Sequence, residues 1–195
     1  ASRPARVSSG VARKLDAALT LELKDLGMPH ARFSASLDME EARCGATGSD
    51  EVEFLIAPNP GEPLKPLRSI ASGGELSRVM LALKTVFAGA DRVPVLVFDE
   101  IDAGIGGAVA RCVGRRLSAL GRTHQILCVT HLAQVACFAP AHFHVVKDVS
   151  GGRTAVRAER LEGGRRLEAV AQLLGGRAAT EASRHHAQEL LESST

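Results

Sequence analysis

The sequence predicts an α/β fold built around a parallel βαβ unit, on three observations. Two short apolar runs, Val93 to Phe98 and Ile126 to Val129, each end in polar residues, Asp99-Glu100 and Thr130-His131. Such runs are what strands buried on both faces of a parallel sheet look like. Between them, a helix from about Val109 to Leu120 supplies the crossover that parallel strands require. The edge where both runs turn polar is where open α/β sheets bind ligands.

The remaining elements follow in order. Val11, Leu15, Ala18 and Leu19 fall at helical spacing and predict a helix from about Ser8 to Leu26, with Gly27 as its stop. Ala31 to Met39 and Glu51 to Ala57 read as two antiparallel strands joined by a Gly-rich turn at Gly45 to Ser49. Pro58, Pro60, Gly61, Pro63 and Pro66 make a loop without regular structure. Glu75 to Ala88 reads as a helix with Leu76, Val79, Met80, Leu83 and Phe87 on one face. Beyond the βαβ unit, His144 to Val149 and Thr154 to Arg160 form a hairpin turned at Ser150-Gly151-Gly152. Helices over Arg166 to Leu174 and Thr180 to Leu191 close the chain.

Composition narrows the function classes. A net charge of +2 over 195 residues is too small to argue for nucleic acid. Six Phe with no Trp or Tyr argues against a stacking platform for single strands, so any DNA contact falls to Arg and Lys on phosphates. Cys44, Cys112, Cys128 and Cys137 have neither Cys-x-x-Cys nor zinc-like spacing, and the last three sit among apolar residues as reduced thiols. No apolar stretch approaches the roughly 20 residues that span a bilayer, and no signal peptide opens the chain. The first residue is Ala, which fits a chain cut from something longer.

Three short motifs carry candidate chemistry. Asp99 at the end of a buried strand can hold Mg²⁺, usually through water, while Glu100 can orient and deprotonate a water; acidic pairs also end many strands with no such role. Ser72-Gly73-Gly74-Glu75 ahead of a helix lets backbone N–H groups approach an anion, and it equally fits a capping box. His131 could hydrogen-bond a phosphate oxygen, although a lone His is more often a satisfied surface residue.

Their order and wording carry a resemblance. Ala71-Ser-Gly-Gly-Glu-Leu-Ser-Arg78, Phe98-Asp-Glu-Ile-Asp-Ala-Gly-Ile-Gly-Gly107 and Val129-Thr-His-Leu-Ala-Gln-Val-Ala136 resemble the signature motif, Walker B strand and switch histidine of ABC-type ATPases. Within that class the chain is similar to the bacterial DNA-repair members of the structural-maintenance-of-chromosomes (SMC) group of coiled-coil ATPases. Asn59-Pro-Gly-Glu-Pro-Leu-Lys-Pro66, Glu22-Leu-Lys-Asp-Leu-Gly-Met-Pro29, Leu173-Leu-Gly-Gly and His186-Ala-Gln-Glu-Leu-Leu191 extend the resemblance over nearly the whole chain. A transporter ATPase would follow the Walker B Glu with Pro-Thr, whereas this chain has Ile101-Asp102.

No Lys follows a Gly anywhere in the chain, so the phosphate-cradling Walker A loop, Gly-x-x-x-x-Gly-Lys-Ser/Thr, is absent. The resemblance then implies the C-terminal lobe of an ABC-type P-loop head, with a mainly parallel sheet, two antiparallel strands and an N-terminal helix. Residues 1–27 would be the helix at the coiled-coil junction and 28–195 the lobe. It implies ATP and Mg²⁺, a Walker A lobe of the same protein as partner, a second head in an ATP-dependent homodimer, and DNA, double-stranded or at its ends. It further implies double-strand break repair by recombination and a cytoplasmic, nucleoid-associated place with no membrane. Alone, the chain would not turn over ATP. By the same resemblance Asp99 would hold Mg²⁺, Glu100 would be the general base, and His131 would contact the γ-phosphate. Ser72, Gly73, Gly74 and Glu75 would meet the opposing head's nucleotide, and Asp102 would communicate across the dimer. The competing reading is a lobe that only docks DNA or protein, for which Arg111, Arg115, Arg116, Arg122, Arg153, Arg157, Arg160, Arg165 and Arg166 are available.

Overall fold

The chain begins with helix α1 (Arg3–Asp25), longer than its apolar stripe required. Leu19, Leu23 and Leu26, spaced by four and three, are fully buried and Leu21 on the opposite side is exposed; Val11, expected on the buried stripe, is exposed as well. The computed structural model describes residues 3–39, 50–150, 153–176 and 178–194. The expected turns at Gly45 to Ser49 and Gly151-Gly152, and Cys44, lie outside them.

Gly27 ends α1 as expected, and in a specific way. At φ +80° it lets Met28 N–H bond Leu23 C=O at 2.9 Å and its own N–H bond Lys24 C=O at 3.2 Å. That 6→1 and 5→2 pair is a Schellman cap. A Cβ at Gly27 would also lie 2.8 Å from Val109 Cγ1. Gly27→Val is therefore expected to lower stability by about 2–4 kcal/mol. The check is a lower denaturant midpoint at unchanged slope.

Strands β1 (Arg32–Met39) and β2 (Asp50–Ala57) pair antiparallel from Arg32↔Ala57 to Met39↔Asp50. Phe33 and Phe54 pack with ring centroids 5.5 Å apart. Asp16 of α1 accepts the Ala35 N–H at 2.8 Å, which fastens the helix to β1. The proline-rich loop is not wholly irregular: β3 (Lys65–Pro66) pairs with Ile56 and Leu55 at the edge of this sheet. An edge tolerates Pro because its missing N–H is not needed by a neighbour.

Helix α2 (Gly73–Val86) buries Val79, Leu81, Ala82 and Leu83. The expected stripe through Leu76, Met80 and Phe87 is displaced: Leu76 and Met80 are half-buried, and Phe87 caps the helix in the open. Buried Arg78 occupies the inner face instead. Strand β4 (Val95–Phe98), helix α3 (Gly107–Leu120) and strand β5 (Gln125–Cys128) form the expected βαβ unit, with Val95 opposite Gln125 and Phe98 opposite Cys128 in parallel.

One expectation about that unit is corrected. Leu96 and Phe98 are buried, but Val95, Val97, Leu127 and Val129 are exposed, Val97 by 68%. The pair is covered on one face only, where Leu96 and Phe98 join a core with α1, α2 and α3. The second face is apolar and bare within this chain.

Helix α4 (Ala133–Ala136) follows β5; four residues are too few for a sequence periodicity to reveal. Strands β6 (His142–Ser150) and β7 (Arg153–Leu161) make the hairpin, with His142 opposite Leu161. Helices α5 (Gly163–Gly175) and α6 (Glu181–Glu192) pack with α4 around a second core of Ala133, Cys137, Val170, Ala171, Ala187 and Leu190. No helix among the described residues is long and apolar enough to cross a membrane.

Candidate nucleotide site at the sheet edge

The parallel strands deliver both polar ends to one edge, and α2 starts beside them. Ser72 is the N-cap of α2, its Oγ accepting the Glu75 N–H at 3.3 Å. Gly74 is required by closeness to fixed atoms, whereas Gly73 faces the movable end of the Glu100 side chain. A Cβ at Gly73 would sit 2.6 Å from Glu100 Oε2, and one at Gly74 2.8 Å from the Ala103 Cβ and 2.9 Å from the Glu100 carbonyl. The start of α2 and the acidic pair are therefore in van der Waals contact within one chain.

Asp99 and Glu100 are exposed. The Asp99 Oδ1 accepts the Glu100 N–H at 2.9 Å, and Glu100 adopts φ 55°. Among the described residues it is the one non-glycine at positive φ, a conformation that costs an L-residue roughly 1–2 kcal/mol. The turn is held by two side chains of α2 that carry no assigned role. Ser77 donates to the Asp99 carbonyl at 2.8 Å, and Arg78 Nη1 donates to the carbonyls of Ile101 at 3.3 Å and Ala103 at 2.9 Å. Burial lowers the Arg78 pKa, with the charge of Glu75 opposing the shift. A polar pair on the otherwise apolar inner face of a helix was the signal that could have found them.

Asp102 is buried, and its carboxylate is turned inward. Its Oδ2 accepts Thr130 Oγ1–H and the His131 N–H at 2.9 Å, and the His131 ring Nδ1 lies 3.0 Å from the same oxygen. The His131 side chain is 72% exposed. The structure thus brings Ser72, Gly73, Gly74, Glu75, Asp99, Glu100, Asp102 and His131 to one edge. Burial pushes the Cys128 thiol up to about 12, aided by the charges of Asp102 and Asp99. Cys112, Cys128 and Cys137 are free thiols, as expected.

The donor set bears on Mg²⁺. No group of three His, Cys, Asp or Glu among the described residues could hold a metal ion as a cage. A single carboxylate is still what Mg²⁺ uses when phosphates and waters complete its shell. Asp99 fits that part.

The architecture has known counterparts. The crystal structure of the Smc head domain with a coiled coil and joint from Pyrococcus yayanosii superposes with a TM-score of 0.57 at 20% identity, covering 80% of this chain and 28% of that one. The fold is that of an SMC-type, ABC-class ATPase head. In sequence, the chain is 46% identical over 192 residues to the DNA repair protein RecN of Streptomyces coelicolor, covering 93% of this chain and 34% of the relative. The RecN of Deinococcus radiodurans is 51% identical over 169 residues, covering 87% and 29%. The chain belongs with the RecN family and spans about a third of the length of these relatives. No protein-family model matches it.

Proposed function

We propose that this chain is the C-terminal lobe of an SMC-like ATPase head, and that the intact protein hydrolyses ATP between paired heads during recombinational repair of DNA double-strand breaks. One observation carries the reading. The two strands that present Asp99-Glu100 and Thr130-His131 at one edge leave Val95, Val97, Leu127 and Val129 bare on a shared apolar face. An exposed row of that kind marks an interaction surface. The chain also lacks a phosphate-gripping loop, so its natural cover is the lobe that has one.

In the assembled head, ATP would sit on the Walker A loop of the other lobe. Bound Mg²⁺ would neutralise charge between the β- and γ-phosphates, and Asp99 is the residue here that would hold it. Glu100 orients the attacking water and takes its proton. His131 contacts the γ-phosphate from the neighbouring strand end. The start of α2, with Ser72, Gly73 and Gly74, meets the γ-phosphate held by the opposing head, where free N–H groups and the helix dipole favour an anion. Residues 1–27 carry the coiled coil into the lobe, and nucleotide-dependent pairing of heads gates how the coiled coils hold DNA ends.

The docking-only alternative has less support. Arg116 is engaged with Glu22 and Asp25, Arg160 with Glu162, and Arg166 with the carbonyls of Cys137 and Ala139. Three of the nine arginines named for that reading are thus engaged by groups of this chain.

The test mixes this chain with the Walker A lobe and measures Mg-ATP hydrolysis. Turnover only in the mixture supports the half-head reading, and turnover by this chain alone contradicts it. Val97→Asp, on the bare face, should abolish co-sedimentation of the two lobes while leaving the far-UV spectrum of this chain unchanged.

A further inference from the structure

From Asp99 to Ala103 every backbone carbonyl finds a donor, as buried or half-buried backbone requires. The Glu100 C=O accepts the Ala103 N–H at 3.0 Å and the Asp102 C=O accepts the Ile105 N–H at 3.4 Å, both local to the turn. The other three carbonyls are bonded by side chains of α2. Ser77 Oγ donates to Asp99 at 2.8 Å, and Arg78 Nη1 donates to Ile101 at 3.3 Å and to Ala103 at 2.9 Å. Arg78 is only 6% exposed, and burying a cation that far costs desolvation. Among the described residues no carboxylate forms an ion pair with it. An apolar side chain would fill the inner face of α2 at less cost, so what the guanidinium adds there is its grip on the turn.

What the turn carries is Glu100. Its φ of 55° is a conformation that persists only where surrounding groups enforce it. Its N–H is taken by Asp99 Oδ1 at 2.9 Å, but among the described residues no hydrogen bond or ion pair holds its carboxylate. The aim of that carboxylate is therefore set by the backbone, together with the space that Gly73 leaves beside Oε2. We propose that Ser77 and Arg78 are positioning residues for Glu100: by bonding the carbonyls on both sides of it, they keep the strained turn that points its carboxylate at the attacking water. This rests on the reading of Glu100 as the general base. Both side chains act through the backbone, Arg78 from within the core. The helix whose start would meet the opposing head's nucleotide is thereby the one that sets the base for the nucleotide on its own head.

Steady-state and single-turnover ATP hydrolysis by the intact protein tests this, with ATP-dependent pairing of heads followed by sedimentation. Arg78→Met keeps most of the volume and removes the donors. It is expected to lower kcat by roughly tenfold or more through displacement of the base, with KM for ATP and pairing unchanged. Ser77→Ala removes one hydroxyl at a half-buried helix position and should lower kcat by roughly fivefold, the worth of one hydrogen bond. In the Glu100→Gln background neither substitution should lower kcat further, since both act through that carboxylate. A further drop there overturns the positioning role, and so does wild-type kcat in either single variant. Pairing lost in step with kcat marks a merely structural clamp and overturns it too. Should Arg78→Met fail to fold, Ser77→Ala decides by the same criteria. Normal turnover by Glu100→Gln instead removes Glu100 as the base, and the proposal with it.

Discussion

Glu100→Gln is expected to lower ATP turnover by the two-lobe assembly by roughly 10²-fold or more, the cost of losing a general base. ATP-dependent pairing of heads should be kept, because the amide retains the shape and the contact with Gly73. Single-turnover hydrolysis and sedimentation with ATP separate the two effects, and normal hydrolysis would remove Glu100 from the role. The backbone adds a second, opposite expectation. At φ 55° Glu100 is strained, and Glu100→Gly should relieve that strain, raising stability by about 1 kcal/mol while turnover is lost. A residue whose removal stabilises the fold and stops the reaction is there for the reaction.

Ser72→Arg is the second large effect. ATP binding to the Walker A lobe should be unaffected, and ATP-dependent dimerisation of heads should be abolished, since a guanidinium would fill the space where the opposing γ-phosphate must approach α2. The local cost is limited to the cap: the Ser72 Oγ bond to the Glu75 N–H contributes about 1 kcal/mol. Ser72→Ala removes the same cap without the bulk and serves as the control. Unchanged sedimentation of Ser72→Arg with ATP would count against a signature motif acting across the dimer.

Several features were legible before any coordinates, for local reasons. Gly27, the helical spacing of Leu15, Ala18 and Leu19, and the alternation of apolar runs with a helix each leave a mark within a few residues, although Val11, at the same spacing, is exposed. So do Ser72-Gly73-Gly74 and Asp99-Glu100, whose chemistry is written in neighbouring side chains. Periodicity erred where a side chain answered to a distant partner. Arg78 displaces the apolar stripe of α2 because two carbonyls in another segment require its guanidinium, and no window of residues around it contains them.

The sequence by itself determined the α/β class, the strand ends that carry the acidic pair and the histidine, and the lack of a phosphate-gripping loop. Only the tertiary structure decided that the parallel strands are bare on one face, since a run such as Val95 to Phe98 has the same composition whether one face or two are covered. Only it showed Asp102 bound to Thr130 and His131, because a hydrogen bond between residues 28 apart leaves no periodic trace in the chain.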